Sequence, residues 1–126
     1  MRVVFDTTIL IDESRNFQPA VKLVEKVAKK EIDGLISGIT EGELLSGSEC
    51  KKEDVFKKTF DMIYLFTKIE VGNKILQKAA EFRRIYGVDL LDAIIAATAF
   101  DQKCKLWTKN IDDFKKIKEI EVEESY

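Results

Sequence analysis

The chain contains no histidine. That removes imidazole general-base catalysis, Ser-His-Asp triads and histidine-ligated zinc together. The two cysteines, Cys50 and Cys104, lie far apart without a C-x-x-C spacing. Neither a disulfide framework nor a thiolate metal site is therefore expected, and both are read as reduced thiols, Cys104 in or near the core. Proline occurs once, at Pro19, and no apolar run approaches the length of a membrane span. No charged-then-apolar leader opens the chain, so the expected location is the cytoplasm, away from any membrane. The formal net charge is only −2 and the pI is near 5.3, which excludes a globally basic nucleic-acid binder but not a local basic patch. Whatever chemistry the chain performs must come from carboxylates, hydroxyls, amides and lysines.

What is present suffices for one core. At 126 residues and 45% hydrophobic, the chain fits a single domain over residues 1–126, with no repeats and no linker. Val3, Val4 and Phe5 form an unbroken apolar run, the mark of a strand buried on both faces in the middle of a parallel sheet. Ile9 to Ile11 suggest a turn of helix. Residues 20–30 carry helical periodicity with lysines on the other face. Leu35, Ile36 and Ser37 read as a second strand, and Thr40-Glu41-Gly42-Glu43 opens a helix that ends near Gly47. Residues 52–66 form an amphipathic helix in which Phe56, Phe60 and Phe66 are read as packing. A short strand or extended link is expected over 67–71, then a helix from Asn73 to Tyr86 with Gly87 as its C-cap. From Asp92 to Asp101 every intervening residue is apolar or Thr, so that helix is buried on most sides. Residues 105–108 form a third clear strand, 110–114 a short helix or turn, and 119–122 an edge strand. Strands alternating with helices predict an α/β fold around a mostly parallel sheet.

Four acids occupy similar places. Asp6 follows VVF, Glu43 follows LIS, Asp113 follows LWT, and Asp92 opens the buried helix. Each has a local explanation: Asp6 as an N-cap, Thr40-x-x-Glu43 as a capping box, Asp89 and Asn110 as N-caps with Asp92 and Asp113 three residues on. Their joint arrangement says more. In a parallel sheet the strands' carboxyl ends share one edge, and the following helices start there. Four carboxylates would then meet in one pocket, with no histidine and no evident arginine to neutralise them. A divalent cation resolves the repulsion, and all-oxygen ligation selects Mg²⁺ or Mn²⁺. Such a centre suits phosphodiester hydrolysis.

The segments MRVVFDTTILID, ISGITEGELLSG, LLDAIIAATA and LWTKNIDDF resemble, in order and spacing, the four motifs of PIN-domain ribonucleases. The compact form is similar to the VapC toxins of prokaryotic toxin–antitoxin pairs. The resemblance covers essentially the whole chain. It implies a three-layer α/β/α sandwich, Mg²⁺- or Mn²⁺-dependent endoribonuclease activity, a homodimer, and a cognate antitoxin. It implies Asp6, Glu43 (rather than Glu41), Asp92 and Asp113 as the catalytic, metal-binding acids. Many relatives have an acid where this chain has Asn110, so either position could complete the set; Asp113 is chosen, with Asn110 as a positioning amide. Thr8 and Thr108 match supporting hydroxyls, and Asp89 is first a cap and second an auxiliary acid.

Two other enzyme or signalling classes fit less well. A haloacid-dehalogenase-type phosphatase needs a second Asp two residues after the first, where this chain has Thr8. A response-regulator receiver needs paired acids nearer the first strand than Asp12-Glu13. A PIN fold used for binding, with a degenerate metal site, remains compatible with Asn110. Lys109 adjoins the fourth motif and is read as a surface lysine within reach of an RNA phosphate.

Overall fold

The computed structural model describes all of residues 1–126. Five strands, β1 (Arg2–Phe5), β2 (Asp33–Ser37), β3 (Thr67–Ile69), β4 (Lys105–Thr108) and β5 (Val122–Glu124), form one sheet in the order β3-β2-β1-β4-β5. Every neighbouring pair is parallel, so all carboxyl ends fall on one edge. The first strand is the central one, as its unbroken apolar run predicts. Strand periodicity divides that run between two cores. Val4 faces a cluster with Leu35, Leu106 and Ala93 to Ala97, whereas Val3 and Phe5 face one with Ile9, Val24, Ile63 and Trp107.

Six helices cover the sheet: α1 (Thr7–Ser14), α2 (Gln18–Ala28), α3 (Gly38–Leu45), α4 (Glu53–Ile63), α5 (Asn73–Tyr86) and α6 (Leu90–Gln102). None is long and apolar enough to cross a membrane. Helix α6 is buried throughout from Ala93 to Ala99, which its composition required. Gly87 ends α5 in the left-handed region at φ 70°, the C-cap expected there.

Several local expectations shift. The turn over residues 9–11 is a helix of eight residues. The second helix starts at Gln18, with Pro19 in its first turn, where the missing N–H costs nothing. Helix α3 begins at Gly38, and Ser37 caps it by accepting from the Ile39 N–H, so the capping box at Thr40 does not form. The last strand lies at 122–124, where Glu123 accepts from the Trp107 indole at 2.9 Å and from the Lys105 ammonium. The phenylalanine stripe also splits. Phe66 is buried against Phe5, but Phe56 is 41% exposed and stacks on Phe60, which meets the exposed Tyr64 edge-on.

At Gly34 on β2 the sheet comes close to Phe66 and to Val27 of α2. A Cβ there would stand 2.8 Å from the Phe66 ring and 3.0 Å from Val27. Gly34→Ala is expected to destabilise the chain by about 1–3 kcal/mol, the usual cost of overpacking. Urea denaturation of the variant against wild type reads this directly.

Candidate metal centre

Two of the four acids, Asp6 and Asp113, follow strands at the carboxyl edge, and Asp92 lies in the first turn of α6, which follows α5. Asp6 ends β1 and occupies the N-cap position of α1, Asp92 is the third residue of α6, and Asp113 closes a 3₁₀ turn over Ile111–Asp113 after β4. Glu43 differs. Because α3 starts at Gly38, Glu43 lies in its second turn, beyond the first-turn field that favours anions.

Asp6 is 3% exposed and firmly held. The hydroxyls of Thr8 and Thr108 both donate to its Oδ2 at 2.8 Å, which leaves Oδ1 without a side-chain partner. Thr108 in turn accepts from the Asn110 backbone N–H at 3.0 Å, tying the fourth-acid loop to the first acid. Asn110 therefore acts through its main chain, and its side chain caps nothing. Asp89 likewise occupies the N-cap position of α6 without a capping hydrogen bond; it is exposed and lies 3.9 Å from Arg83.

Thr7 supplies what the helix dipole does not. It donates to Glu43 Oε1 at 2.8 Å and shares a 2.9 Å hydrogen bond with the fully buried Thr40 hydroxyl. A threonine has one hydroxyl proton. With Thr7 donating to Glu43, Thr40 must donate to Thr7, so the relay runs Thr40 to Thr7 to Glu43. From sequence, Thr8 is a supporting hydroxyl and Thr40 a capping residue, and neither Thr7 nor Thr40 is expected to donate toward Glu43. The signal available was the doubled threonine after Asp6 and the i, i+3 spacing that places Thr40 and Glu43 on one helix face. Glu41, by contrast, is engaged by Lys68 at 2.8 Å.

The electrostatics unite the set. Nine ion pairs decorate the chain, and none involves Asp6, Glu43, Asp92 or Asp113. Burial raises the Asp92 carboxyl, and the charges of Asp6, Asp113, Asp89 and Glu43 raise it further, to about 6. Asp6 is also pushed up by burial, against the pull of the Thr108 and Thr8 hydroxyls. As the side chains stand, no three carboxylates close on a single point. The charge and donor set fit a hard divalent cation of the kind that keeps several of its own waters, as Mg²⁺ does. Lys109, read from sequence as within reach of an RNA phosphate, pairs with Asp12 at 3.0 Å.

Thr7→Val removes the hydrogen bond to Glu43 with little change in volume. It is expected to weaken Mn²⁺ binding by roughly 10–100-fold, the common cost of losing a group that orients a ligand. Calorimetric titration checks the affinity, and Thr7→Ser should restore it.

Five parallel strands, with acids that enter no ion pair gathered toward their carboxyl edge, define the class of the fold as α/β. The PIN-domain family model matches residues 3–120. Ribonuclease VapC1 of Methanocaldococcus jannaschii is 32% identical over 124 residues, covering 94% of this chain and 83% of the relative. A solved toxin–antitoxin complex from Klebsiella pneumoniae contains a chain 30% identical, matched over 98% of both chains with a TM-score of 0.81. DNA-bound VapBC from Salmonella typhimurium, 20% identical, agrees in fold over 100% of this chain and 99% of its own, with a TM-score of 0.85. The chain belongs to the PIN-domain family, and its fold is the α/β/α sandwich which that membership entails.

Proposed function

We propose that this chain is a divalent-metal-dependent endoribonuclease and the toxin of a VapBC-type pair, acting in the cytoplasm as one nuclease domain with Mg²⁺ or Mn²⁺. The observation that carries the reading is the group of acids without a cationic partner, in which Asp6, Asp113 and Glu43 each act on Asp92, in a chain 32% identical to a ribonuclease. When bound, the ion stabilises charge on the phosphodiester and makes water a better nucleophile. The chain's own residues prepare the place. Thr8 and Thr108 fix Asp6 with Oδ1 free, Thr7 fixes Glu43, and the Asn110 main chain anchors the loop that presents Asp113. Asp92 and Asp113 complete the ligand set, and Asp89 adds negative field at its rim.

The partner is an antitoxin, and the chain is a homodimer. The Phe56–Phe60–Tyr64 ladder along α4 and its C-cap, exposed at Phe56 and Tyr64, offers an apolar face for an antitoxin segment that folds on binding. An arginine of that segment competes with the cation, because its planar fork pairs carboxylates bidentately. Expression alone should slow growth, and co-expression with the neighbouring small gene should relieve it and yield a silent complex. Harmless expression alone, with nothing co-purifying, contradicts the toxin assignment and leaves the nuclease one.

The test of the activity is cleavage of single-stranded RNA in Mg²⁺ or Mn²⁺, set against EDTA and against a small phosphomonoester. Phosphate release from the monoester without RNA cleavage would turn the reading to a phosphatase.

A further inference from the structure

A second built feature lies beside the acids. Asp12, in the second turn of α1, is 8% exposed, and both of its carboxylate oxygens are used. Oδ1 accepts from Lys109 Nζ at 3.0 Å, and Oδ2 accepts from the Tyr126 hydroxyl at 2.7 Å. One buried carboxylate thus fixes an ammonium from the loop after β4 and an aromatic ring from the last residue. These groups border a cleft of about 670 Å³ that Arg15 and Phe17 also line. Phe17 is 48% exposed despite being apolar, with its ring 5.6 Å from that of Tyr126. Arg15 enters none of the ion pairs. Lys109 commits one of its three donors to Asp12 and keeps two. The cleft also adjoins the acids: Lys109 follows Thr108, which holds Asp6, and the charge of Asp6 reaches the Tyr126 hydroxyl.

Cations beside open aromatic faces are the means by which proteins hold single-stranded nucleic acid. We propose that this cleft is a subsite for a nucleotide flanking the cleaved phosphodiester, its phosphate on Arg15 and Lys109 and its base against Phe17 and Tyr126. The proposal rests on the ribonuclease reading and deepens it. It selects single-stranded RNA, because a base inside a duplex keeps both faces stacked. Asp12 is the positioning residue that holds Lys109 and Tyr126 in place. Its spacing from Lys109 and Tyr126 in the chain hides this role from sequence patterns.

Steady-state kinetics of the full chain on a mixed-sequence single-stranded RNA, with Mn²⁺, test it. Phe17 and Arg15 are both exposed, so their substitution leaves the fold intact, which melting curves verify. Phe17→Ala and Arg15→Ala are each expected to raise KM roughly tenfold, the scale of losing one stacked base or one phosphate contact. Lys29→Ala, at the opposite edge of the sheet, removes the same charge and controls for it. A KM unchanged in both variants, with wild type cleaving, overturns the subsite alone. A wild type that cleaves no RNA removes the ribonuclease reading and the subsite with it. Variants of normal KM that lose a co-purifying antitoxin assign the cleft to protein, and likewise overturn the proposal.

Discussion

Asp6→Asn is expected to lower RNA cleavage by at least ~10³-fold, on the scale of several kcal/mol that a metal contributes to phosphoryl chemistry. The substitution is nearly isosteric. Oδ2 of Asp6 accepts from Thr8 and Thr108, and the asparagine carbonyl oxygen can take that place unchanged. The amide nitrogen then occupies the position of the free Oδ1, where it presents protons to a cation instead of a lone pair. Shape, burial and the threonine contacts persist while one negative donor is lost. Asp92→Asn should have an effect of similar size. Gel-based cleavage assays on purified protein measure it, and a variant retaining a tenth of wild-type activity would place the metal elsewhere.

The second large effect is on stability, and its sign follows from Asp92. The folded carboxyl titrates at about 6, against an ordinary 3.8. Between these values the folded chain holds a proton that the unfolded chain has released, so metal-free stability falls as pH rises through that window. The raised Asp6 adds in the same direction. Above pH 6 the Asp92 carboxylate is charged, which is also where a cation binds best. At 100 times its Kd, Mn²⁺ should restore about 2.7 kcal/mol. Melting temperatures measured from pH 4 to 8, with EDTA and with Mn²⁺, should therefore diverge as pH rises. Asp92→Asn should flatten the metal-free curve and reduce the Mn²⁺ response. Parallel curves with and without Mn²⁺ would remove the cation from the account.

Much of this arrangement was legible in the sequence, for reasons that differ by element. Val3 to Phe5 announced a central strand because burial on both faces suppresses alternation. Helix α6 announced its burial because no polar stripe interrupts it. The acids could be grouped because parallel topology alone sends strand ends to one edge. The details that failed depended on contacts between distant segments. Helix α1 looked shorter because Thr7, Thr8 and Asp12 face partners within the fold, and its apolar pattern is correspondingly thin. The cap of α3 was misplaced because Ser37 reads equally as the end of a strand and as a cap. The pattern EIEV fits two strand positions, and the Trp107–Glu123 hydrogen bond fixes the later one. Phe56 has the spacing of a core residue, and periodicity cannot show that this chain leaves it 41% exposed. Asp12 and Tyr126 stand 114 residues apart, so no local signal joins them.

We propose that Asp6, Glu43, Asp92 and Asp113 share one metal centre. Anomalous scattering from crystals of the wild-type chain grown with Mn²⁺ tests it most directly. A manganese peak is expected at the carboxyl edge of the sheet, ligated by Asp6 with Asp92 or Asp113, and lost in Asp6→Asn. Manganese absent from these acids in crystals of a chain that cleaves RNA would contradict it.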